Sequence, residues 1–227
     1  MRAERSASDL DALTFDCYGT LVDWLGGVRA ALGGLPSLAG ADLDRLVRDR
    51  DAIDRELVLG PYRPYGEILR ESLRRAAELQ ERELARVDAD AFAASMPRWP
   101  PFEEAPGVLR RLARRYRLAI LSNVETATLR ASVRALGAPF ELCVTAEELR
   151  SYKPARAHFD EALRRLALPK ERVLHVACSL FHDVQPAQEL GWRAAWVNRE
   201  REPVPAGLEC DFIVPDLASL ERSLAPV

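Results

Sequence analysis

The feature that most constrains the fold is a short apolar run that ends in a carboxylate and leads into a tight turn. The run covers residues 12–16 and ends at Asp16, and Gly19 and Thr20 follow within four residues. Strands buried inside parallel sheets read as continuous apolar runs, whereas half-exposed strands alternate. The segment therefore predicts a buried parallel strand that carries Asp16 to the edge of a sheet where ligands of α/β proteins bind.

Strand-like and helical segments alternate along most of the remaining chain. Further strands are predicted at residues 117–122, 140–144, 173–178, 194–197 and 212–214, and helices at residues 108–115, 126–136, 155–166, 186–190 and 217–224. This alternation is typical of a parallel sheet covered by helices on both faces. We therefore predict an α/β protein with a Rossmann-like, doubly wound parallel sheet as its core.

A long segment after the first strand has a different pattern. Residues 23–98 contain no strand signal, but they show helical spacing at Leu43, Leu46 and Val47 and again around Ile68. We predict an inserted helical cap domain at residues 22–99, and an α/β core domain made of residues 1–21 and 100–227. A cap over the strand ends would close the site during a reaction. A helical subdomain without this role is the alternative.

Polar residues stand at four of the predicted strand ends. They are Asp16, then Ser122 and Asn123, then Lys153 in the loop after the third strand, and finally Asp183. Each of them alone could cap a helix or face solvent. Because the carboxyl ends of parallel strands meet at one edge of the sheet, the four together predict an active site there.

The motifs around these residues resemble those of the haloacid dehalogenase superfamily, and most closely its type II 2-haloacid dehalogenase branch. The matching segments are Phe15-Asp16-Cys17-Tyr18-Gly19-Thr20-Leu21, Leu121-Ser122-Asn123, Tyr152-Lys153-Pro154 and Ser179-Leu180-Phe181-His182-Asp183. The resemblance implies that Asp16 attacks the carbon that bears the halogen and forms an ester. It further implies that Asp183, held by Lys153, directs water onto that ester, and that Ser122 takes part in catalysis.

The resemblance also implies residues that bind the substrate and the departing halide. That family uses an arginine of the cap together with the asparagine of the second motif, which is Asn123 here. Arg48 is the predicted arginine, with Arg45, Arg50 and Arg55 as alternatives. The remaining residues predicted to contact the substrate or halide are Tyr18, Thr20, Trp24 and His182. His182 could equally serve only as a hydrogen-bonding partner within its loop.

Two positions favour a dehalogenase over a phosphatase of the same superfamily. Phosphatases place an acid two residues after the nucleophile to protonate the leaving alcohol, and Tyr18 occupies that position here. A phenol with a pKa of about 10 is a poor proton donor for this step. Cys178 stands where phosphatases have a further acidic ligand for Mg²⁺, which prefers hard oxygen ligands. We therefore predict that no cofactor is needed.

Several alternatives stay open on the sequence. In a Mg²⁺-dependent phosphatase the ion would be held by Asp16, the backbone of Tyr18 and Asp183. The chain departs from the established 2-haloacid enzymes at Phe159, where they have tyrosine, at Leu180, where they have asparagine, and at His182. These departures leave room for hydrolysis of a related small carboxylate such as azetidine-2-carboxylate. A non-catalytic binding protein on this fold is the third alternative.

Composition indicates which partners to expect. The net charge of −3 argues against a nucleic-acid binder, and no apolar run reaches the ~20 residues of a membrane span. Residues 1–9 are polar and lack the apolar segment of a signal peptide. The four cysteines are scattered without metal-site spacing, as is typical of reduced cytoplasmic proteins. We expect a cytoplasmic protein with a small-molecule substrate, and the resemblance suggests a homodimer.

Overall fold

The computed structural model describes residues 9–225 and contains a parallel sheet of six strands. The strands are β1 (Ala12–Phe15), β2 (Arg117–Ser122), β3 (Leu142–Thr145), β4 (Val173–Ala177), β5 (Arg193–Val197) and β6 (Phe212–Val214). Their order across the sheet is β3-β2-β1-β4-β5-β6, and every neighbouring pair is parallel. The order reverses at β1, so the predicted doubly wound α/β fold is confirmed and Asp16 follows the strand at the switch point.

Ten α-helices are present among residues 9–225. Four of them belong to the helical insert after β1: α1 (Trp24–Gly33), α2 (Leu43–Val58), α3 (Tyr65–Glu78) and α4 (Arg86–Ala93). The others are α5 (Ala105–Leu112), α6 (Thr126–Leu136), α7 (Ala146–Leu149), α8 (Ala157–Leu166), α9 (Gln185–Glu189) and α10 (Leu217–Ser223). A π-helix at Leu180–Val184 immediately precedes α9.

The element boundaries differ from the sequence-based ones by a few residues, for local reasons. Helix α5 begins at Ala105, three residues earlier than predicted, because Pro106 is favoured in the first turn of a helix. Strand β3 begins at Leu142 rather than at residue 140, since its pairing with β2 starts there. Helix α6 matches its predicted bounds and ends where Gly137 adopts a left-handed conformation with φ of 57°.

Side chains of the central strands alternate between two apolar clusters, one on each face of the sheet. Leu13 and Phe15 belong to the larger cluster, which also includes residues of α2 and α3. Ala12 belongs to the smaller cluster, together with Phe159 of α8 and Trp192. Every residue of β1 is fully buried, as a central parallel strand requires.

The helical insert leaves and rejoins the sheet at one place. Val22 pairs with Pro101 in an antiparallel bridge, the Asp23 amide donates to the Pro100 carbonyl, and the Phe102 amide donates to the Leu21 carbonyl, at 2.9 and 3.0 Å. The insert also docks on the loops that follow β2 and β3. The Gly66 amide donates to Glu125 Oε1 (2.7 Å), and the Tyr152 hydroxyl donates to the Arg63 carbonyl (2.7 Å). The assignment of residues 22–99 as a separate cap domain stays a prediction.

Between residues 9 and 225, no helix has both the length and the apolar character needed to span a membrane. The expectation that no signal peptide is present rests on residues 1–9, of which residues 1–8 lie outside the described part of the chain.

Candidate active site

Asp16 sits at the carboxyl end of β1, beside a cavity between the sheet edge and the helical insert. The Asp16 amide donates to the Val176 carbonyl of β4 at 3.0 Å, which fixes its backbone to the neighbouring strand. The turn that follows needs a residue without a side chain, because Gly19 has φ of +91° and a Cβ there would lie 2.7 Å from Cys178 Sγ. The cavity has a volume of about 820 Å³.

Lys153 joins the two predicted catalytic carboxylates. Its ammonium donates to Asp16 Oδ1 at 2.9 Å, to Asp183 Oδ1 at 2.6 Å and to the Leu121 carbonyl at 2.8 Å. Three acceptors satisfy the three hydrogens of the ammonium. The Lys153 and Asp183 side chains are each only 1% exposed, whereas that of Asp16 is 11% exposed. Asp16 is thus the most exposed member of this triad.

The charges of the triad depend on one another. Burial, together with the negative charge of Asp183, raises the pKa of Asp16, and Lys153 opposes this shift. Burial alone would also raise the pKa of Asp183, but the Lys153 ammonium and a hydrogen bond from His175 hold it well below its usual range. Burial would lower the pKa of Lys153, yet the two carboxylates raise it. Asp183 and Lys153 therefore stay charged at neutral pH, and Asp16 is the more basic carboxylate.

Thr20 and Tyr18 flank Asp16 but do different things. The Thr20 hydroxyl donates to Asp16 Oδ2 and accepts from the Cys178 amide, both at 2.9 Å, so Thr20 ties Asp16 to the loop after β4. The Tyr18 hydroxyl lies 2.8 Å from Ser132 Oγ of α6. Its ring also lines the cavity, but burial raises the pKa of the Tyr18 phenol above its usual value. Tyr18 is therefore poorly suited to donate a proton to a leaving group.

Ser122 and Asn123, at the end of β2, line the same cavity. The Asn123 side chain accepts from the Lys153 amide at 2.7 Å and donates to the Lys153 carbonyl at 2.9 Å. These two bonds hold the loop that carries Lys153, and they leave one Nδ2 hydrogen of Asn123 for another acceptor. The Ser122 carbonyl lies 3.3 Å from Nε2 of buried His158, whose pKa burial lowers to about 3.

The structure places the candidate arginines Arg48 and Arg50 in different surroundings. Arg48 is exposed on α2, whereas Arg50 is 1% exposed and lines the cavity. The two positions lie about 200° apart around a helix, and the buried face of α2 is the one that carries Leu46 and Ile53. Arg48 therefore lies on the exposed side of α2, whereas Arg50 lies on the side that borders the cavity.

Arg50 is held by neighbours that leave part of its guanidinium available. Its Nη2 donates to Asp54 Oδ1 at 2.5 Å, and its Cζ lies 5.4 Å from the ring centre of Trp24, which also lines the cavity. Its Nη1 is buried and has no partner among residues 9–225. Sequence periodicity offered a signal here, because a charged residue on the apolar face of an amphipathic helix needs a function or a partner.

His182 lies in the π-helix and also lines the cavity. Its amide donates to Ser179 Oγ at 3.0 Å, and the same oxygen lies 3.1 Å from His182 Nδ1. Burial lowers the pKa of this imidazole, and its Nε2 is buried without a partner in the described part of the chain. His182 can therefore fill both of its predicted roles. Its Nδ1 hydrogen-bonds within the loop, and its Nε2 is available to a ligand.

The donor set fits Mg²⁺ poorly. The expected ligands are Asp16, Asp183 and the Tyr18 carbonyl. Both oxygens of Asp16 and Oδ1 of Asp183 already accept hydrogen bonds, so Asp183 Oδ2 is the one oxygen of these two carboxylates without a partner among residues 9–225. Cys178 stands where phosphatases have a further acidic ligand. Burial raises the pKa of its thiol to about 12, so the thiol stays protonated. No cluster of three His, Cys, Asp or Glu side chains suited to a metal occurs in residues 9–225.

One residue of the site escaped the sequence analysis altogether. His175 lies in the middle of β4, and its Nε2 is 2.9 Å from Asp183 Oδ1. The signal for it was a histidine inside a strand of otherwise apolar residues, which requires a buried partner. That partner could not be identified before the π-helix that follows β4 was placed against the strand.

Comparison with known proteins places this geometry in context. A family model described as haloacid dehalogenase-like hydrolase matches residues 10–191. Haloacetate dehalogenase H-2 of Moraxella sp. (strain B) is 28% identical over 222 residues, which cover 95% of this chain and 98% of that protein. Phosphoserine phosphatase of Thermus thermophilus is 32% identical over 161 residues, which cover 70% of this chain and 63% of that protein.

Solved structures share the fold. A crystal structure of a dehalogenase with an intermediate complex superposes with a TM-score of 0.86 at 23% identity, covering 96% of this chain and 99% of that one.

Proposed function

The chain belongs to the family of haloacid dehalogenase-like hydrolases, and from that membership and the site we propose that it hydrolyses small 2-haloacids through an ester on Asp16. The observation that carries the proposal is the Asp16–Lys153–Asp183 triad, in which Asp16 is the most exposed member. The similarity of the chain, over nearly its full length, to a haloacetate dehalogenase supports the same substrate class.

In the first step an Asp16 oxygen attacks the carbon that bears the halogen. A carbon–oxygen bond forms, the carbon–halogen bond breaks with its electron pair, and halide leaves without needing a proton. The charge of Lys153 keeps Asp16 ionised for this attack, and Thr20 orients its second oxygen. The lack of an acid at position 18 does not slow this step, because halide leaves as an anion and needs no proton.

The second step frees Asp16. Water attacks the ester carbonyl carbon of Asp16 and gives a proton to Asp183, and the bond between that carbon and the substrate oxygen breaks. The departing oxygen takes up a proton and becomes the hydroxyl of a 2-hydroxy acid. In sum, the haloacid and one water give the hydroxy acid, halide and a proton.

We assign the halide subsite to Arg50 and Asn123, with Arg50 replacing Arg48. The free Nη1 of Arg50 and the free Nδ2 hydrogen of Asn123 are donors without partners in residues 9–225, on residues that line the cavity. His182 Nε2 is a third donor for the halide or for the substrate carboxylate. Donors that await a developing anion are the recurring means by which enzymes stabilise departing charge.

A Mg²⁺-dependent phosphatase is the second candidate, because of the similarity to a phosphoserine phosphatase. The environments of Tyr18 and Cys178 argue against it, since the first holds its proton tightly and the second supplies no carboxylate. The cytoplasmic location, the homodimer and the independence from cofactors stay predictions alongside the main proposal.

Halide release from chloroacetate, measured with EDTA and again with added Mg²⁺, separates the two candidates. The proposal predicts equal rates in both conditions and no turnover of p-nitrophenyl phosphate. A single turnover in H₂¹⁸O should then place ¹⁸O in the peptide that contains Asp16. Phosphate release that depends on Mg²⁺, without any halide release, would establish the phosphatase instead.

A further inference from the structure

A hydrogen-bonded chain of buried groups runs behind Asp183, on the side away from the cavity. Thr14 and His175 are register partners on β1 and β4, so their side chains emerge on the same face of the sheet. Thr14 Oγ1 lies 2.9 Å from His175 Nδ1, and His175 Nε2 lies 2.9 Å from Asp183 Oδ1. Thr14 and His175 are fully buried, and Asp183 is 1% exposed.

The chemistry of the end group determines where the protons lie. Asp183 is an ionised carboxylate beside Lys153, and an ionised carboxylate can only accept hydrogen bonds. Nε2 of His175 must therefore carry a proton. In the neutral imidazole Nδ1 is then an acceptor, which the Thr14 hydroxyl can satisfy as donor. This arrangement leaves no buried nitrogen of His175 unpaired.

Two aromatic rings pack against the imidazole of His175. The ring of Phe159, from α8, meets the His175 ring edge-on with the centroids 5.1 Å apart, and Trp192 lies 6.4 Å from it. Phe159 occupies the position where the 2-haloacid dehalogenases have tyrosine. In this chain the side chain at that position packs against His175 and has no hydroxyl to donate a hydrogen bond.

The result for Asp183 is an unequal use of its two oxygens. Oδ1 accepts from both Lys153 and His175, whereas Oδ2 is buried and has no partner among residues 9–225. Two donors on one oxygen fix the carboxylate in position and leave the other oxygen as its only free acceptor.

We propose that His175 is a positioning residue, which holds Asp183 so that Oδ2 takes the proton from the water that hydrolyses the Asp16 ester. This inference rests on the proposed function and deepens its second step. His175 does not touch substrate, and it acts only through Asp183. Halide displacement by Asp16 precedes this step and does not use the Oδ2 of Asp183. Loss of His175 should therefore slow ester hydrolysis selectively.

The test compares His175→Met, which fills the space without a donor, with His175→Gln, whose amide can donate near the position of Nε2. Rapid-quench halide release from chloroacetate should show one halide per protein in a fast phase for His175→Met, followed by turnover about 10–100-fold slower than wild type. Intact-mass measurement should find the ester accumulated on Asp16. His175→Gln should recover most of the slow-phase rate. Thr14→Val, which leaves His175 in place, should slow the same phase more mildly.

Equal slowing of both phases in His175→Met, or a glutamine variant as slow as the methionine one, would overturn the inference. A ¹⁵N NMR measurement provides a readout independent of turnover: His175 should be protonated on Nε2, and protonation on Nδ1 alone would also overturn it. If the wild-type protein releases no halide, the proposed function fails, and the NMR result still decides whether Thr14 and Asp183 fix the tautomer.

Discussion

Replacing Lys153 by methionine should destabilise the protein strongly and make its stability depend on pH. Lys153 Nζ is the shared partner of two buried carboxylates, at 2.9 Å from Asp16 and 2.6 Å from Asp183. Removing one partner of a buried ion pair costs about 3–5 kcal/mol, because the remaining charge is left without compensation. Here two carboxylates lose the same cation, so we expect the variant to fall at the upper end of that range near pH 8.

The pH dependence provides the sharper part of this prediction. Without Lys153, burial and mutual repulsion should raise the pKa of the carboxylate pair, so the folded variant should take up a proton that the unfolded chain, with a pKa of about 3.9, does not hold. A group whose pKa is raised in the folded state stabilises the protein below the unfolded pKa, and that stabilisation is lost as pH rises through the folded pKa. The free energy of unfolding should then fall by about 1.4 kcal/mol per pH unit within this window.

Urea unfolding followed by circular dichroism, at about pH 5.5 and about pH 7.5, measures both effects. Lys170→Met is the matched control, because Lys170 is the only other lysine in the chain and its Nζ donates to a single carbonyl, that of Leu190, at 2.8 Å. The control should lose about 1 kcal/mol without a change in pH dependence. A Lys153→Met variant that loses no more than the control, or loses equally at both pH values, would refute the assignment of Lys153 as the shared counter-ion.

Three further outcomes are expected. Asp16→Asn should abolish halide release from chloroacetate and leave no adduct by intact-mass measurement, and turnover by this variant would remove Asp16 as nucleophile. Arg50→Met should lower kcat/KM for chloroacetate by about 10²-fold or more. Arg48→Met, on the exposed side of the same helix, should leave kcat/KM unchanged within about twofold. The reverse ranking would return the halide-binding role to Arg48. Tyr18→Phe should lose about 1 kcal/mol in thermal or urea unfolding, from the lost bond to Ser132, while keeping kcat, and a large fall in kcat would show that the phenol takes part in the chemistry.

The parts of the fold that local patterns control were predictable from the sequence. Apolar runs identified the six strands, and the position of Asp16 after the first strand followed from one of them. Lys153 and Asp183 were placed by the rule that parallel strands end at a common edge. Helix boundaries were off by up to three residues where a proline such as Pro106 shifted the first turn.

The features that depend on the rotation of a helix or the register of two strands were not predictable. The apolar spacing of α2 indicates that Arg50 is buried and Arg48 is not, but only the packing of α2 against its neighbours shows that the buried face borders the cavity. The role of His175 requires that β4 pair with β1 in a register that brings Thr14 beside it. Alignment by motif carries no information about either, since both lie outside the four motifs.

The paired entry and exit of the helical insert have a consequence for how proteins of this architecture can diversify. The Leu21–Val22 end and the Pro100–Phe102 end are joined by backbone hydrogen bonds, so the gap in the sheet domain is already closed by main-chain contacts that need no particular side chain. A recombination event that replaces everything between these two ends would preserve the junction. A chimera that exchanges the insert at these bonds should therefore keep the fold of the sheet domain, and it offers a direct test of whether the insert determines substrate range.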